Sequence, residues 1–443
     1  MSYDIKPYNF SRDLTVASPL RSIHPIPISF SKRDRYLSVL LGREVTTEAP
    51  VFWNIEKLVN QHMVVMGVPG SGKSFFMKQL VKRILTAFET PTGVRARMVI
   101  VDPEGEYPPV IDSLPGIRSI HLHVGENVHP NPLALPLDRE GRVAIDPVKW
   151  AAEISSFLVN VVFSFRAPRQ VTLLREVIVS LYKEANIRYA SKPRSFPSML
   201  AVETKLKAKM SDNEEKGAKE VAASLYEKVH QLNVTGGFGD DDELARIFEY
   251  DDPVVIDVSG MSEEASSVVR YYILMLFKNL MYMQEMGKGV NAFLILDEAW
   301  KILQMKDTPL QHILREGRKY GFSLIFITQR IEDVAKNEHL GNIASMFATT
   351  VVFNVNDAEA AAGLAKRFGY FNDKEIAVKM ANLPRGTALL HFLPVSKRDK
   401  TLTPVFIHTV RFDPARVIHL KVMPRTRRTA EEYARIIETR ERT

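Results

Sequence analysis

Gly67, Gly72, Lys73 and Ser74, in the stretch "GVPGSGKS", fit the spacing G-x-x-x-x-G-K-[ST]. Each residue type has a purpose at its place. The loop turns backbone N–H groups toward phosphates, the lysine neutralises β and γ oxygens, and the serine hydroxyl coordinates Mg²⁺. The chemistry this implies is binding of ATP with Mg²⁺, with Gly67, Pro69, Gly70, Ser71, Gly72, Lys73, Ser74 and Phe75 around the nucleotide.

Hydrolysis needs a second, acidic group on a neighbouring strand. "AFLILDEAWKIL" runs four apolar residues into Asp297 and Glu298. Asp297 would hold Mg²⁺ through water, and Glu298 would orient or deprotonate the attacking water. The next strand, "FSLIFITQR", ends in Thr328 and Gln329, and a polar side chain there can sense a γ-phosphate. Just before it, "LREGRKYG" places Arg315 and Arg318 on one helical face, either as helix-end charges or as an arginine finger reaching a neighbouring subunit's nucleotide. "VDPEGEYPPVI" clusters Asp102, Glu104 and Glu106, of which one could help position water or metal; a solvated acidic turn is the plain alternative. His121 and His123 would share a strand face but lack acidic ligands of fixed geometry, so no metal centre is expected there.

The elements that must position these groups follow from periodicity. "HMVVMG" reads as a buried strand, "KSFFMKQLVKRILTAF" as a helix with apolar positions at 75, 76, 80, 81, 84 and 85, and "RMVIVDP" as a second buried strand. Strand, helix, strand is a right-handed βαβ crossover, the unit of a parallel sheet. From Val148 to about Leu232 the pattern is helical. Strands return in "PVVIDVS", "AFLILDEAW", "FSLIFITQ" and "TTVVFNV". The fold class is therefore α/β: a P-loop nucleotide-binding domain on a mostly parallel sheet, with a helical subdomain.

Composition sets the limits. The chain has 443 residues, 45% of them apolar, enough for a sizeable core. With no cysteine, thiol nucleophiles, disulfide scaffolds and cysteine-ligated metal sites are excluded. A net charge of +7 spread over a mixed surface permits a polyanionic partner. The most apolar helical run, Val268 to Met283, carries Arg270, Lys278 and Asn279 and is too short to span a bilayer, and the N-terminus lacks a signal-peptide core.

Taken in order, "GVPGSGKS", "VDPEGEY", "HPNPLALP", "PVVIDVSGM", "LILDEAWKIL", "REGRKYGFSLIFITQR" and "NLPRGTALLHF" resemble the VirB4/TraC ATPases of type IV secretion and conjugation, within the HerA/FtsK superfamily of DNA pumps. The resemblance spans about Leu41 to Phe412. It implies a RecA-like motor acting as a homohexamer, with Lys73 and Ser74 on phosphate and Mg²⁺, Asp297 and Glu298 as the acidic pair, Gln329 as sensor, and Arg315 or Arg318 as the finger. Arg385, in "LPRG", matches a late position near the nucleotide in relatives. Fewer than about 60 residues precede the P-loop strand, so the expectation is a trimmed VirB4-type motor or an archaeal relative used in DNA import or conjugation.

The expected organisation is an N-terminal arm or small β region over 1–55, motor halves over 56–147 and 251–422 around a helical insertion at 148–250, and a charged helix over 423–443. The expected function is an ATP-driven motor that moves DNA through a type IV-like channel. Its partners would be DNA, further copies of itself and membrane channel proteins, and it would sit at the cytoplasmic face of the membrane through them. Two other readings stand beside it: a HerA-like repair translocase working with a nuclease, and a nucleotide-dependent assembly platform with weak turnover.

Overall fold

The computed structural model describes residues 38–411 except 56–57, 88–96, 139, 166, 212–215, 248–249, 251, 284–291, 299–301, 303–308, 330–337, 371 and 394–403. The expected helix over 423–443 and most of the N-terminal arm lie outside the described residues. What is described of the arm is a hairpin, β1 (Ser38–Glu44) and β2 (Pro50–Asn54).

Seven parallel strands form one side of an eleven-stranded sheet, out to its edge at β5: β3 (Met63–Met66), β4 (Arg97–Asp102), β5 (Ile120–His123), β6 (Val254–Asp257), β7 (Ala292–Leu296), β8 (Phe322–Thr328) and β9 (Thr349–Val352). They lie in the order β9-β3-β8-β7-β4-β6-β5. Four antiparallel strands continue beyond β9, namely β10 (Thr387–Phe392), β11 (Val405–His408), β1 and β2. The βαβ unit read from the sequence is present, but β8 and β7 stand between its two strands.

The central strands are apolar on both faces because both are covered. Met63, Val65, Ile295 and Ile327 point to α1 (Lys73–Ala87) and α2 (Pro108–Asp112), whereas Val64, Met66, Leu294 and Phe326 point to the other layer. That layer includes α3 (Pro147–Phe157), a π-turn (Leu158–Val162), α4 (Pro168–Glu184), α5 (Met199–Ser211) and α6 (Lys216–Thr235), which lie between β5 and β6. It also includes α7 (Glu263–Met283), α8 (Pro309–Tyr320), α9 (Glu338–Ala344), α10 (Ala358–Phe368) and α11 (Asp373–Ala381). The apolar run from Val268 is buried core within α7: Tyr271 stacks on Phe157 with centroids 3.9 Å apart, and Lys278 pairs with Glu153. No described helix is long and apolar enough to cross a membrane.

At the amino ends of β3, β8 and β9, a polar plug absent from the sequence reading fixes the strands. The Asn60 side chain donates to the Met346 carbonyl and accepts from the N–H groups of His62 and Ala348. Gln61 donates to the Phe322 and Gly317 carbonyls. His62 Nδ1 accepts from the Leu324 N–H at 3.0 Å, so its neutral form is the one the fold uses.

Complete burial pushes His62 down to about 3. Between the ordinary histidine value and about 3, the unfolded chain binds a proton that the folded chain refuses, so stability falls as pH drops through that window, by up to about 5 kcal/mol. His391, stacked on Phe368 and held by burial at about 4, adds to the same limb. Melting of His62→Gln followed from neutral pH downward is expected to show a flatter acid limb than the parent, but not a flat one.

Candidate functional site

The carboxyl ends of the parallel strands gather the chemistry at one sheet edge, where ligands bind in open α/β sheets. The loop leaving β3 is bonded to the end of β9, Phe353 N–H to Met66 O and Val68 N–H to Asn354 O. It then enters α1 at Lys73. Gly67 has to be glycine, since a Cβ there would stand 2.6 Å from Phe353 Cβ and 2.8 Å from Ser71 Oγ. Gly72 takes φ +111° and packs against Gly386, whose N–H donates to Ser71 O at 2.9 Å. The turn Pro384–Thr387 thus braces the loop, with Gly386 at φ +81° as a turn of this kind requires.

Lys73 is buried beneath the loop, and its Nζ donates to the carbonyls of Gly67 at 2.6 Å and Val68 at 2.9 Å. Burial lowers its pKa, opposed by the nearby carboxylates of Glu298, Asp297 and Glu104. Ser74 is exposed at the mouth of the loop. Phe75, which the periodicity set on the apolar face, is 39% exposed there, because it falls in the first turn of α1 and Phe76 and Met77 take the buried side.

Asp297 and Glu298 follow β7 directly. Burial and the Glu298 charge raise Asp297 to about 7, although Arg270 opposes the shift. Burial also raises Glu298, while a hydrogen bond from Gln329 and the charges of Lys73 and Arg270 pull it down. Glu298 has φ +52°, a strained backbone for a residue with a Cβ. The strain is held from behind. Arg270, on α7 and 5% exposed, donates from Nε to the Asp297 carbonyl at 3.0 Å and from a guanidinium nitrogen to Ser266 Oγ at 2.7 Å. The sequence reading took Arg270 only as a charge that spoils a membrane span; its spacing from the acidic pair, 27 residues, gives no local signal.

The donor set fits Mg²⁺ with a nucleotide. Two adjacent carboxylates with raised values, facing Glu104 as well as Lys73 and Arg270, make a set of oxygen ligands that a hard divalent cation would suit.

Residues 39–277 match the family model described as the central domain of the helicase HerA. The chain belongs to this HerA family. Residues 291–386 match a second model, the TraM recognition site of TraD and TraG. The chain is 24% identical to the DNA import protein CedB of Sulfolobus acidocaldarius over 370 residues, 80% of this chain and 54% of CedB. It therefore spans about half the length of that relative. Its fold is shared with VirB4 of Thermoanaerobacter pseudethanolicus, at 20% identity and TM-score 0.63 over 85% of this chain and 97% of that one. It is shared too with the plasmid coupling protein TrwB in complex with ADP and Mg²⁺, at 15% identity and TM-score 0.58 over 86% and 92%. The HerA-family match covers the phosphate loop, and the second match covers Asp297, Glu298 and Gln329.

The remaining candidates divide. Glu104 is exposed, yet close enough to Lys73 and Glu298 to act on both charges. Asp102 is structural: its carboxylate accepts from the Glu104 and Tyr107 N–H groups. Glu106 pairs with Lys78 at 2.7 Å. Arg385 is exposed in the turn against the phosphate loop. Arg315 and Arg318 are not brought to this site. They lie on α8, which leads into the amino end of β8, and Arg318 donates to the Val59 carbonyl at 3.0 Å. Both are exposed. His121 and His123 each face a carboxylate, Asp112 at 3.3 Å and Asp257 at 3.1 Å, which the sequence reading did not foresee. No group of three metal-ligating side chains occurs among the described residues.

Arg270→Met keeps bulk and removes the anchor on the Asp297 peptide. Misplacement of about 1 Å is expected to lower single-turnover hydrolysis by about 10²-fold. Equilibrium binding of a fluorescent ATP analogue should stay near the parent value, because the phosphate loop is braced from β9 and β10 instead.

Proposed function

We propose that this chain is an ATP-hydrolysing motor that moves DNA, as a homohexamer, through an import or conjugation apparatus of the type IV kind. The observation that carries the proposal is the convergence of Lys73, Asp297, Glu298 and Gln329 on one sheet edge behind a braced phosphate loop. Gly67 to Ser74 cradle the phosphates, with Lys73 on the β and γ oxygens. A bound Mg²⁺ would supply positive charge against the charge that develops on the phosphates. Ser74 would hold it directly and Asp297 through water. Glu298 accepts a proton from the attacking water, and Gln329, already bonded to Glu298, reports the γ-phosphate. Arg385 reaches the nucleotide from its own chain. Arg315 or Arg318 would reach it from a neighbour; the exposed Arg315 needs no bond broken to do so, whereas Arg318 must first leave Val59.

The likeness to the DNA import protein CedB supports DNA transport as the work done, and the +7 charge suits a polyanion gripped without regard to sequence. In this reading the helical segment 148–250 is a subdomain set into a motor of 56–147 and 251–422, and channel proteins hold the ring at the cytoplasmic face of the membrane. The match to the HerA central domain favours one alternative, a repair translocase acting with a nuclease.

The test is ATP hydrolysis with and without single- and double-stranded DNA at two salt concentrations. Stimulation by DNA that fades with salt is expected. In Glu298→Gln turnover should fall by at least about 10²-fold with nucleotide binding kept. Turnover indifferent to DNA, in a protein that forms rings, would instead favour an assembly platform.

A further inference from the structure

The loop "DPEGEY" between β4 and α2 carries a side chain that the roles above leave unused. Tyr107 is 3% exposed, with its ring in the core formed with Ile111, Leu114 and Ile117 under α1. Its hydroxyl is buried and makes no well-formed hydrogen bond among the described residues. A buried hydroxyl without a partner is unfavourable, and phenylalanine would fill the same space without that penalty. The charges around it identify the group it serves. Asp297 acts on it most strongly, ahead of Asp102 and Glu106. Asp102 is engaged by two backbone N–H groups and Glu106 by Lys78, which leaves Asp297 as the acceptor.

The loop is built to hold this side chain in place. Asp102 accepts from the Tyr107 N–H at 2.9 Å, Gly105 takes φ +66° close against Asp257, and the Lys78–Glu106 pair ties the loop to the helix that starts at the phosphate loop.

We propose that Tyr107 is a positioning residue for the acidic pair: its hydroxyl donates to one Asp297 carboxylate oxygen and so directs the other toward a divalent cation at the phosphate loop. This rests on the reading of Asp297 given under the proposed function. It assigns the tyrosine of the loop to cation placement. Arg270 fixes the Asp297 peptide from behind, and Tyr107 fixes its side chain from the β4 side.

The test is Tyr107→Phe in the full chain, with Mg²⁺ titrated against binding of a non-hydrolysable fluorescent ATP analogue. The Mg²⁺ concentration at half-saturation is expected to rise about tenfold, with a similar fall in kcat, as for other groups that orient metal ligands. Binding without Mg²⁺ and the KM for ATP at saturating Mg²⁺ should stay at parent values. An unchanged Mg²⁺ dependence overturns the proposal, whatever happens to the melting temperature. Asp297→Asn run beside it separates the two readings. If that variant keeps the parent Mg²⁺ dependence, the assignment of Asp297 itself fails; if it loses the dependence while Tyr107→Phe does not, only the role of Tyr107 fails.

Discussion

Two adjacent, half-buried carboxylates at the end of β7 are the constraint on which the rest of this architecture depends. Desolvation raises both Asp297 and Glu298, and like charge adds to it, that of Glu298 on Asp297 and that of Glu104 on both. Positive charge has to reach them from separate parts of the chain. Lys73 comes from the β3 side and Arg270 from α7, and only a parallel sheet brings the ends of those distant segments to one edge. Neither cation restores ordinary carboxylate behaviour. The site therefore stays short of positive charge, as suits one that receives a divalent ion with its substrate.

The surrounding frame can be rigid because its two ends are secured differently. At the carboxyl edge, main-chain bonds from β9 and the turn before β10 brace the phosphate loop, so the antiparallel strands beyond β9 help shape the site. At the amino edge, Asn60, Gln61 and His62 lock β3, β8 and β9 with side-chain bonds to backbone. Such a plug makes these bonds in only one register, because a shifted strand would break them and leave further buried polar groups unpaired.

How far the sequence disclosed this depends on whether the signal was local. The phosphate loop, the acidic pair and six central strands were readable because their spacing or apolar runs lie within a dozen residues, and β4, β7, β8 and β9 fall where the apolar runs do. Phe75 obeys the helix period without facing the core because it lies in the first turn of α1. Arg270 and the Asn60–His62 plug escaped notice because their partners lie far away in sequence, up to 288 residues for Asn60. The carboxylates facing His121 and His123 escaped for a related reason: Asp257 reaches His123 only through the pairing of β5 with β6.

The position of the two arginines on α8 bears on how hydrolysis could be felt outside one subunit. Arg318 is bound to Val59 at the amino side of β3, and the phosphate loop leaves the carboxyl side. Even the four residues of β3 separate the two by about 13 Å, more than an arginine side chain spans. A nucleotide in its own loop is therefore beyond reach of Arg318, and a contact between that arginine and a γ-phosphate requires a second chain. In a ring that sets the amino edge of one subunit against the carboxyl edge of the next, loss of the γ-phosphate would release the same helix that leads into β8. That strand ends at Thr328, and the next residue, Gln329, bonds to Glu298. Both ends of β8 would then respond to nucleotide, one to the neighbour's and one to its own, and a strand held rigid by the plug at its base would couple them.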